Sequence, residues 1–337
     1  MIYPKKDKLS ILFKSFLLMI IVIGFSGIGS AQAVTSSLST ANVPSTTVNV
    51  EQGFSGTVTI KDPLLNKTSN VTVNYHPYSY GSGFIVNKNG YIITAFHVIS
   101  DSRTLDNKNQ LKKMSSEDIK WYVEEAGLLK YLKYNNPSLA YKIFKDVPKT
   151  QNDHRKALER ATDQFIKNGW ISTNSYKSEI YVKGNALNKV NTSNSLKASL
   201  IGSGNSKTGE DIALLKVNTK GIGLPVATVS SKIPKINSKI AIYGYPVSKK
   251  SSSPSKSSGN LNVKAPNPKG TVYYETNAIT AEGYSGGPVI NSQNKVIGIL
   301  AYGVYTNKSK KIMGSLFLSS SYIQKICKKY GVPIIVN

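Results

Sequence analysis

Ser285 sits in Glu282-Gly-Tyr-Ser-Gly-Gly-Pro288, a hydroxyl set among glycines. A serine hydroxyl is a poor nucleophile at neutral pH. It needs a base within hydrogen-bond reach, and that base needs a buried carboxylate to hold its tautomer and stabilise its protonated form. The chain supplies both residue types in apolar contexts. His97 stands in Thr94-Ala-Phe-His-Val98, soon after Gly81-Ser-Gly-Phe-Ile-Val86, and Asp211 opens Asp211-Ile-Ala-Leu-Leu-Lys-Val217. Taken singly, each segment has an ordinary reading as a glycine turn, a core histidine or an acid opening a strand. Taken together they hold a nucleophile, a base and an orienting acid. His76, before a Pro-Tyr turn, and His154, near a helix start, have no such company. Cys327 is the single cysteine and there are three histidines, so neither an intramolecular disulfide nor a Cys/His metal cluster is expected, and no metal or organic cofactor is implied.

In order and character these three segments resemble the chymotrypsin-fold (trypsin-like) serine peptidases, most closely the exported HtrA/Deg type, over about residues 50–104 and 195–325. The resemblance implies a mainly β fold of two antiparallel β-barrels of chymotrypsin type, a triad of His97, Asp211 and Ser285, and protein or peptide substrates. It makes the N–H groups of Gly283 and Ser285 the oxyanion hole, and bounds the primary pocket with Ile279, Thr280 and the strand Ala301-Tyr302-Gly303. No acidic residue is evident at that pocket's base, which favours a small or medium apolar side chain before the scissile bond over Lys or Arg.

The chain also departs from the family pattern. Phe96 replaces the small residue usual before the histidine, and Tyr284 stands where digestive proteases carry Asp and HtrA-type enzymes Asn. Without that Asp, activation by a buried new N-terminus is not expected. Fifty-two residues follow Ser285, too few for the PDZ domain found in many relatives. These departures leave a second reading open, a protease-like fold kept as a catalytically latent surface binding or chaperone module. Oligomeric state does not follow from the residues.

Elements that position these groups are visible as short alternating apolar runs: Gly56–Ile60, Val71–Tyr75, Gly83–Val86 and Tyr91–Thr94, with Asn87-Lys-Asn-Gly90 as a hairpin turn. The pattern changes near residue 104. Ser115-Ser-Glu-Asp118 caps a helix with Ile119, Tyr122, Ala126, Leu129 and Leu132 on one face; Asn136-Pro137 starts a second towards Phe144; a third runs from about Asp153 to Asn168. Strand signals return at 196–201, 212–217, 239–243, 271–274, 296–301 and 312–318, and a last helix spans Ser321–Tyr330. Ser248–Pro268 reads as a basic surface loop. The helices separate His97 from Asp211 by 114 residues, and form either a cap beside the cleft or an insertion decorating the first barrel.

The 337 residues are 40% hydrophobic and 18% charged, which excludes wholesale disorder and a multi-span membrane protein. Lys5, Lys6 and Lys8, then an apolar stretch from Phe16 to Phe25, then Ala31-Gln-Ala33 make a three-part export signal over residues 1–33, with an uncleaved membrane anchor as the alternative. A flexible leader follows over 34–50, and a single protease domain over 51–330 with its insertion at about 104–194. The protein is therefore expected outside the cytoplasm, secreted or at the cell surface. Its net charge of +25 then points to acidic cell-envelope polymers rather than nucleic acid, for which no recognition pattern stands out.

Overall fold

The computed structural model describes residues 42–100, 115–148, 150–191, 195–205, 207–249, 251–266, 270–305 and 312–337. The export signal over 1–33 and the first part of the leader lie outside the described residues. In Phe84-Ile-Val86 and in Ile92-Ile93, neighbouring apolar side chains point to opposite faces of a strand. Ile85 and Ile92 enter one core with Val48, Val50, Val182 and Leu215. Phe84, Val86 and Ile93 enter another with Ile212, Leu214, Ile299 and Leu318. Strands buried on both faces are what a barrel needs when a second barrel packs against it.

The first barrel closes from β1 (Thr47–Asp62), β2 (Lys67–Asn87), β3 (Tyr91–Thr94), β4 (Ile171–Lys183), β5 (Ser195–Ser203) and β6 (Ala213–Val217), in the order β1-β2-β3-β6-β5-β4. The second closes from β7 (Lys239–Gly244), β8 (Ser255–Pro266), β9 (Val272–Thr276), β10 (Pro288–Asn291), β11 (Val296–Tyr305) and β12 (Ile312–Ser319), in the order β10-β11-β12-β9-β8-β7. All pairings are antiparallel. The fold is thus mainly β, two closed six-stranded barrels of chymotrypsin type with a helical insertion between His97 and Asp211. Ile240, Ile242, Leu261, Val289, Ile297 and Phe317 fill the second barrel.

Three helices make the insertion. In α2 (Ser116–Tyr134) Ser115 and Asp118 form a reciprocal capping box. In α3 (Pro137–Phe144) Asn136 accepts from the Leu139 amide at 2.9 Å, and α4 (Gln151–Lys167) follows. They pack on the distal halves of β1 and β2, which overrun the barrel: Phe54, Val58, Ile60, Val71 and Val73 meet Tyr122, Val123, Leu128, Tyr131 and Leu132. Of the two arrangements expected, this is the one that decorates the first barrel, since α2 lies against β1, β2 and β4.

Three boundaries differ from expectation. The leader read over 34–50 gives way to structure within that stretch: a short helix α1 (Val43–Thr46) carries Val43 into the core between the barrels, and β1 begins at Thr47. The insertion read over 104–194 is narrower because β4 is a barrel strand paired to β1 and β5. The basic loop read over Ser248–Pro268 is largely β8, paired to β7 and β9. A last helix, α5 (Ser320–Lys329), closes the chain with Ile323 and Ile326 in the inter-barrel core.

Candidate active site

Register brings the first two candidate residues together. β3 pairs with β6 so that Thr94 faces Ala213. Three residues beyond Thr94, His97 sits in the 3-10 turn Phe96–Ile99, and two residues before Ala213 stands Asp211. The His97 amide donates to Asp211 Oδ1 at 2.9 Å, and His97 Nδ1 lies 2.6 Å from Oδ2. Two bonds to one carboxylate fix both the position and the plane of the imidazole. With Asp211 ionised, Nδ1 carries the proton and Nε2 is left as an acceptor.

The electrostatics are those of a tightly coupled pair. Burial opposes charge on His97, yet attraction to Asp211 and the bond to it outweigh burial and raise the imidazole's pKa above its ordinary value. Burial likewise opposes charge on Asp211, which is 0% exposed. The charge and hydrogen bonds of His97 overcome that and hold the carboxyl below the usual aspartate range. The imidazole is 21% exposed, so one edge of the pair faces solvent.

Ser285 comes from the second barrel, between β9 and β10, and its loop is fastened to the first barrel by Ser82. The Ser82 amide donates to Ser285 O at 2.7 Å, its hydroxyl donates to Gly283 O at 2.7 Å, and that hydroxyl accepts from the Tyr245 amide at 2.9 Å. Thr94 Oγ1 donates to Ser82 O at 2.7 Å, tying the same point to the strand that leads to His97. This closeness explains the glycines. A Cβ on Gly286, at φ +85°, would meet Ser82 O at 2.1 Å, and one on Gly283, at φ +96°, would meet Tyr245 O at 2.2 Å.

Among the described residues, neither the Gly283 nor the Ser285 amide has a hydrogen-bond partner, whereas the amides of Tyr284, Gly286 and Gly287 are all engaged. Two unengaged N–H groups beside a hydroxyl are what a developing oxyanion requires. Among the described residues Ser285 Oγ is also without a hydrogen-bond partner, so its bond to His97 is not made in this arrangement. Such bonds are commonly long without substrate and tighten when it binds. Phe96 packs into the first barrel's core and Tyr284 into the second's, so both departures from the family pattern are absorbed by packing.

The expected pocket residues divide. Thr280 is buried and its hydroxyl lies 2.8 Å from that of Ser315, on β12. Ser315 Oγ donates to Ala278 O at 2.8 Å. Its single proton is thereby used, so Thr280 is the donor between the two hydroxyls. Gly303 lies directly across from Ser315 in the β11–β12 register. Ala301, expected in the pocket, instead turns into the inter-barrel core at 1% exposure, at the irregularity that shifts the β11–β12 register between Leu300 and Tyr302. Ile279 projects into solvent. Tyr302 turns to His97: the rings stack with centroids 5.5 Å apart and planes at 22°.

Sequence reasoning did not single out Ser82 or Ser315 and read Tyr302 only as pocket wall. Ser82 had one available signal, its place between two glycines just before the histidine segment. Ser315 had none. Among the described residues no group of three or more His, Cys, Asp or Glu is placed to hold a metal ion.

Two antiparallel barrels joined at a Ser/His/Asp-bearing seam define a chymotrypsin-type fold. Residues 172–299 match the trypsin-like peptidase domain family. Together the match and the two barrels support a serine protease. The matched stretch runs from β4 into β11 and contains Asp211 and Ser285; His97 precedes it, separated by the helical insertion. No curated protein matches the chain.

Proposed function

We propose that the protein is an exported serine endopeptidase of HtrA/Deg type that hydrolyses peptide bonds through an acyl-enzyme. Ser285 Oγ attacks the scissile carbonyl and passes its proton to His97 Nε2. The Gly283 and Ser285 amides receive the oxyanion, and Asp211 holds the imidazolium. His97 then protonates the leaving amine, and a water activated by the same imidazole releases the acyl product. The observation that carries this reading is the doubly bonded His97–Asp211 pair on one barrel, faced by a serine loop with two unengaged amides on the other.

The pocket chemistry supports an uncharged side chain before the scissile bond, in keeping with the small or medium apolar one expected. Thr280 and Ser315 have both spent their protons, so the pair offers no donor to a carboxylate and no negative charge to a lysine or arginine. Export rests on the N-terminal signal, and the charge supports acidic envelope polymers as surroundings. The unpartnered Ser285 Oγ favours a second reading, a latent protease-like binding module.

Fluorophosphonate labelling of the folded protein separates the two. Phosphonylation of Ser285 with loss of fluoride, abolished in Ser285→Ala, is the expected result, together with cleavage after Ala or Val faster than after Arg or Glu. Turnover in Ser285→Ala should fall by about a million-fold. No labelling of folded protein would leave the latent module; faster cleavage after Arg would overturn the pocket assignment alone.

A further inference from the structure

Asp211 stands at the middle of a three-residue turn, spanned by the Ile212 amide donating to Glu210 O at 3.0 Å. Whatever fixes Glu210 therefore fixes the direction in which the Asp211 side chain leaves the backbone. Glu210 is buried, and both its carboxylate oxygens are engaged. Oε2 accepts from the Asn205 amide at 3.1 Å, and Oε1 meets Lys325 Nζ at 2.6 Å. Lys325 lies on α5, which follows the second barrel and packs Ile323 and Ile326 into the inter-barrel core. Among the described residues no other ion pair joins the second barrel or α5 to the first barrel. Two carbonyls just ahead of Glu210 are also held from the second barrel: Thr271 Oγ1 donates to Thr208 O and the Tyr273 hydroxyl to Gly209 O, both at 2.6 Å. On the α5 side the turn borders a cleft of about 330 Å³, lined in part by Ser203, Asn205, Ile212 and Tyr322. There the ammonium, not close packing, holds the Glu210 carboxylate.

We propose that Lys325 is a positioning residue for the triad: by gripping Glu210 it sets the turn that aims the Asp211 carboxylate at His97, so that α5, beyond the second barrel, aligns the acid and base of the first. This rests on the reading of the site as a serine protease. The carboxylate accepts from the His97 amide at 2.9 Å and lies 2.6 Å from Nδ1. Both contacts require one orientation of the carboxylate, so a small rotation of the turn weakens them. Burial opposes charge on Glu210, but the bond from Lys325, with the Asn205 amide, prevails and lowers its pKa, so the pair is ionic at neutral pH. The Lys325 side chain is 62% exposed, so its head group can be changed without opening the core.

Lys325→Met keeps most of the stem and removes the charge, whereas Lys325→Arg keeps the charge. Proton NMR of His97 Nδ1–H in a Ser285→Ala background, assigned by its loss in His97→Gln, reads the bond to Asp211 without needing turnover. The expected result is a downfield resonance that moves upfield or broadens away in Lys325→Met and stays in place in Lys325→Arg. In the otherwise native enzyme Lys325→Met should lower kcat by roughly tenfold with KM little changed, since a misaligned triad costs rate rather than substrate binding. Lys325→Arg should retain most of the rate. An unmoved resonance or an unchanged kcat in Lys325→Met would overturn the proposal. So would equal losses in both variants, which would mean that the lysine stem and not its charge is needed, or a lowered urea midpoint as the sole effect, which would make the pair a stabiliser of the fold only. Because the resonance does not depend on Ser285, a chain that proves unreactive to fluorophosphonate yet shows the change would sink the protease reading and leave the role of Lys325 standing.

Discussion

The imidazole of His97 is pulled in opposite directions. Burial favours its neutral form, Asp211 favours its charged form, and the carboxylate wins. In the proposed mechanism His97 must be neutral to accept a proton from Ser285, so a raised pKa delays that state to higher pH. Below the raised value the base is occupied; above it the base is available. The acid limb of kcat/KM should therefore have its midpoint above about 6.5, the ordinary histidine value. Asp211, held below the usual aspartate range, stays ionised throughout that span and contributes no second step. A pH profile of peptide cleavage with a midpoint at or below the ordinary value would contradict this account. His97, Asp211 and Ser285 stood out in the sequence as candidates because their residue types and local segments carry the chemistry. Ser82, Ser315 and Tyr302 did not, because each owes its role to a partner more than thirty residues away: Gly283 for Ser82, Thr280 for Ser315 and His97 for Tyr302.

The β1–β2 hairpin overruns its barrel, and Asp62 at its end holds the helical insertion in place. Asp62 is 0% exposed. It accepts from the Tyr131 hydroxyl at 2.7 Å, the Asn136 amide group at 2.6 Å, and the backbone amides of Leu64 and Leu65 at 2.7 and 2.9 Å. One carboxylate thus closes the turn and grips both α2 and the cap of α3. Burial opposes its charge, but these four donors prevail and lower its pKa. Asp62→Asn offers an amide where a carboxylate oxygen met two donors, and should destabilise the fold by about 2–4 kcal/mol near neutral pH. A depressed folded-state pKa gives stability that is present above the unfolded value of about 3.9 and lost as pH falls through the folded value. The gap between wild type and variant, measured by urea denaturation, should therefore shrink below about pH 4; a gap constant into acid would show that the charge is not what matters. The helices themselves were readable from their caps and 3.6-residue period. β4 and β8 were not, for a physical reason: Ile171–Lys183 is mostly polar and outward, and Ser255–Pro266 has Leu261 as its one fully buried hydrophobic residue. Both are strands because neighbours on either side offer them hydrogen bonds, which a sequence pattern does not register.

Charge is distributed unevenly over the molecule. Residues 218–337, which build the second barrel and α5, hold 16 lysines and no arginine against Glu275 and Glu282 alone. Residues 115–170, which build the insertion, hold ten Lys and Arg against eight Asp and Glu. The positive field therefore belongs to the barrel that carries the serine loop, while the helical lobe is nearly balanced. A polyanion would be gripped through the second barrel, with the insertion turned to other contacts. Attraction of this kind is screened over roughly 8 Å at physiological salt, so binding should weaken steeply as salt rises. Retention of the full chain on immobilised polyphosphate is expected to fall with added salt. Lys232, Lys235 and Lys239, all exposed on the approach to β7, should matter: changing the three to Gln should release the protein at lower salt. The equivalent change at Lys133, Lys142 and Lys145, exposed on the insertion, should leave the elution point where it was. Equal effects from the two sets would mean that net charge alone governs binding and that no face is preferred.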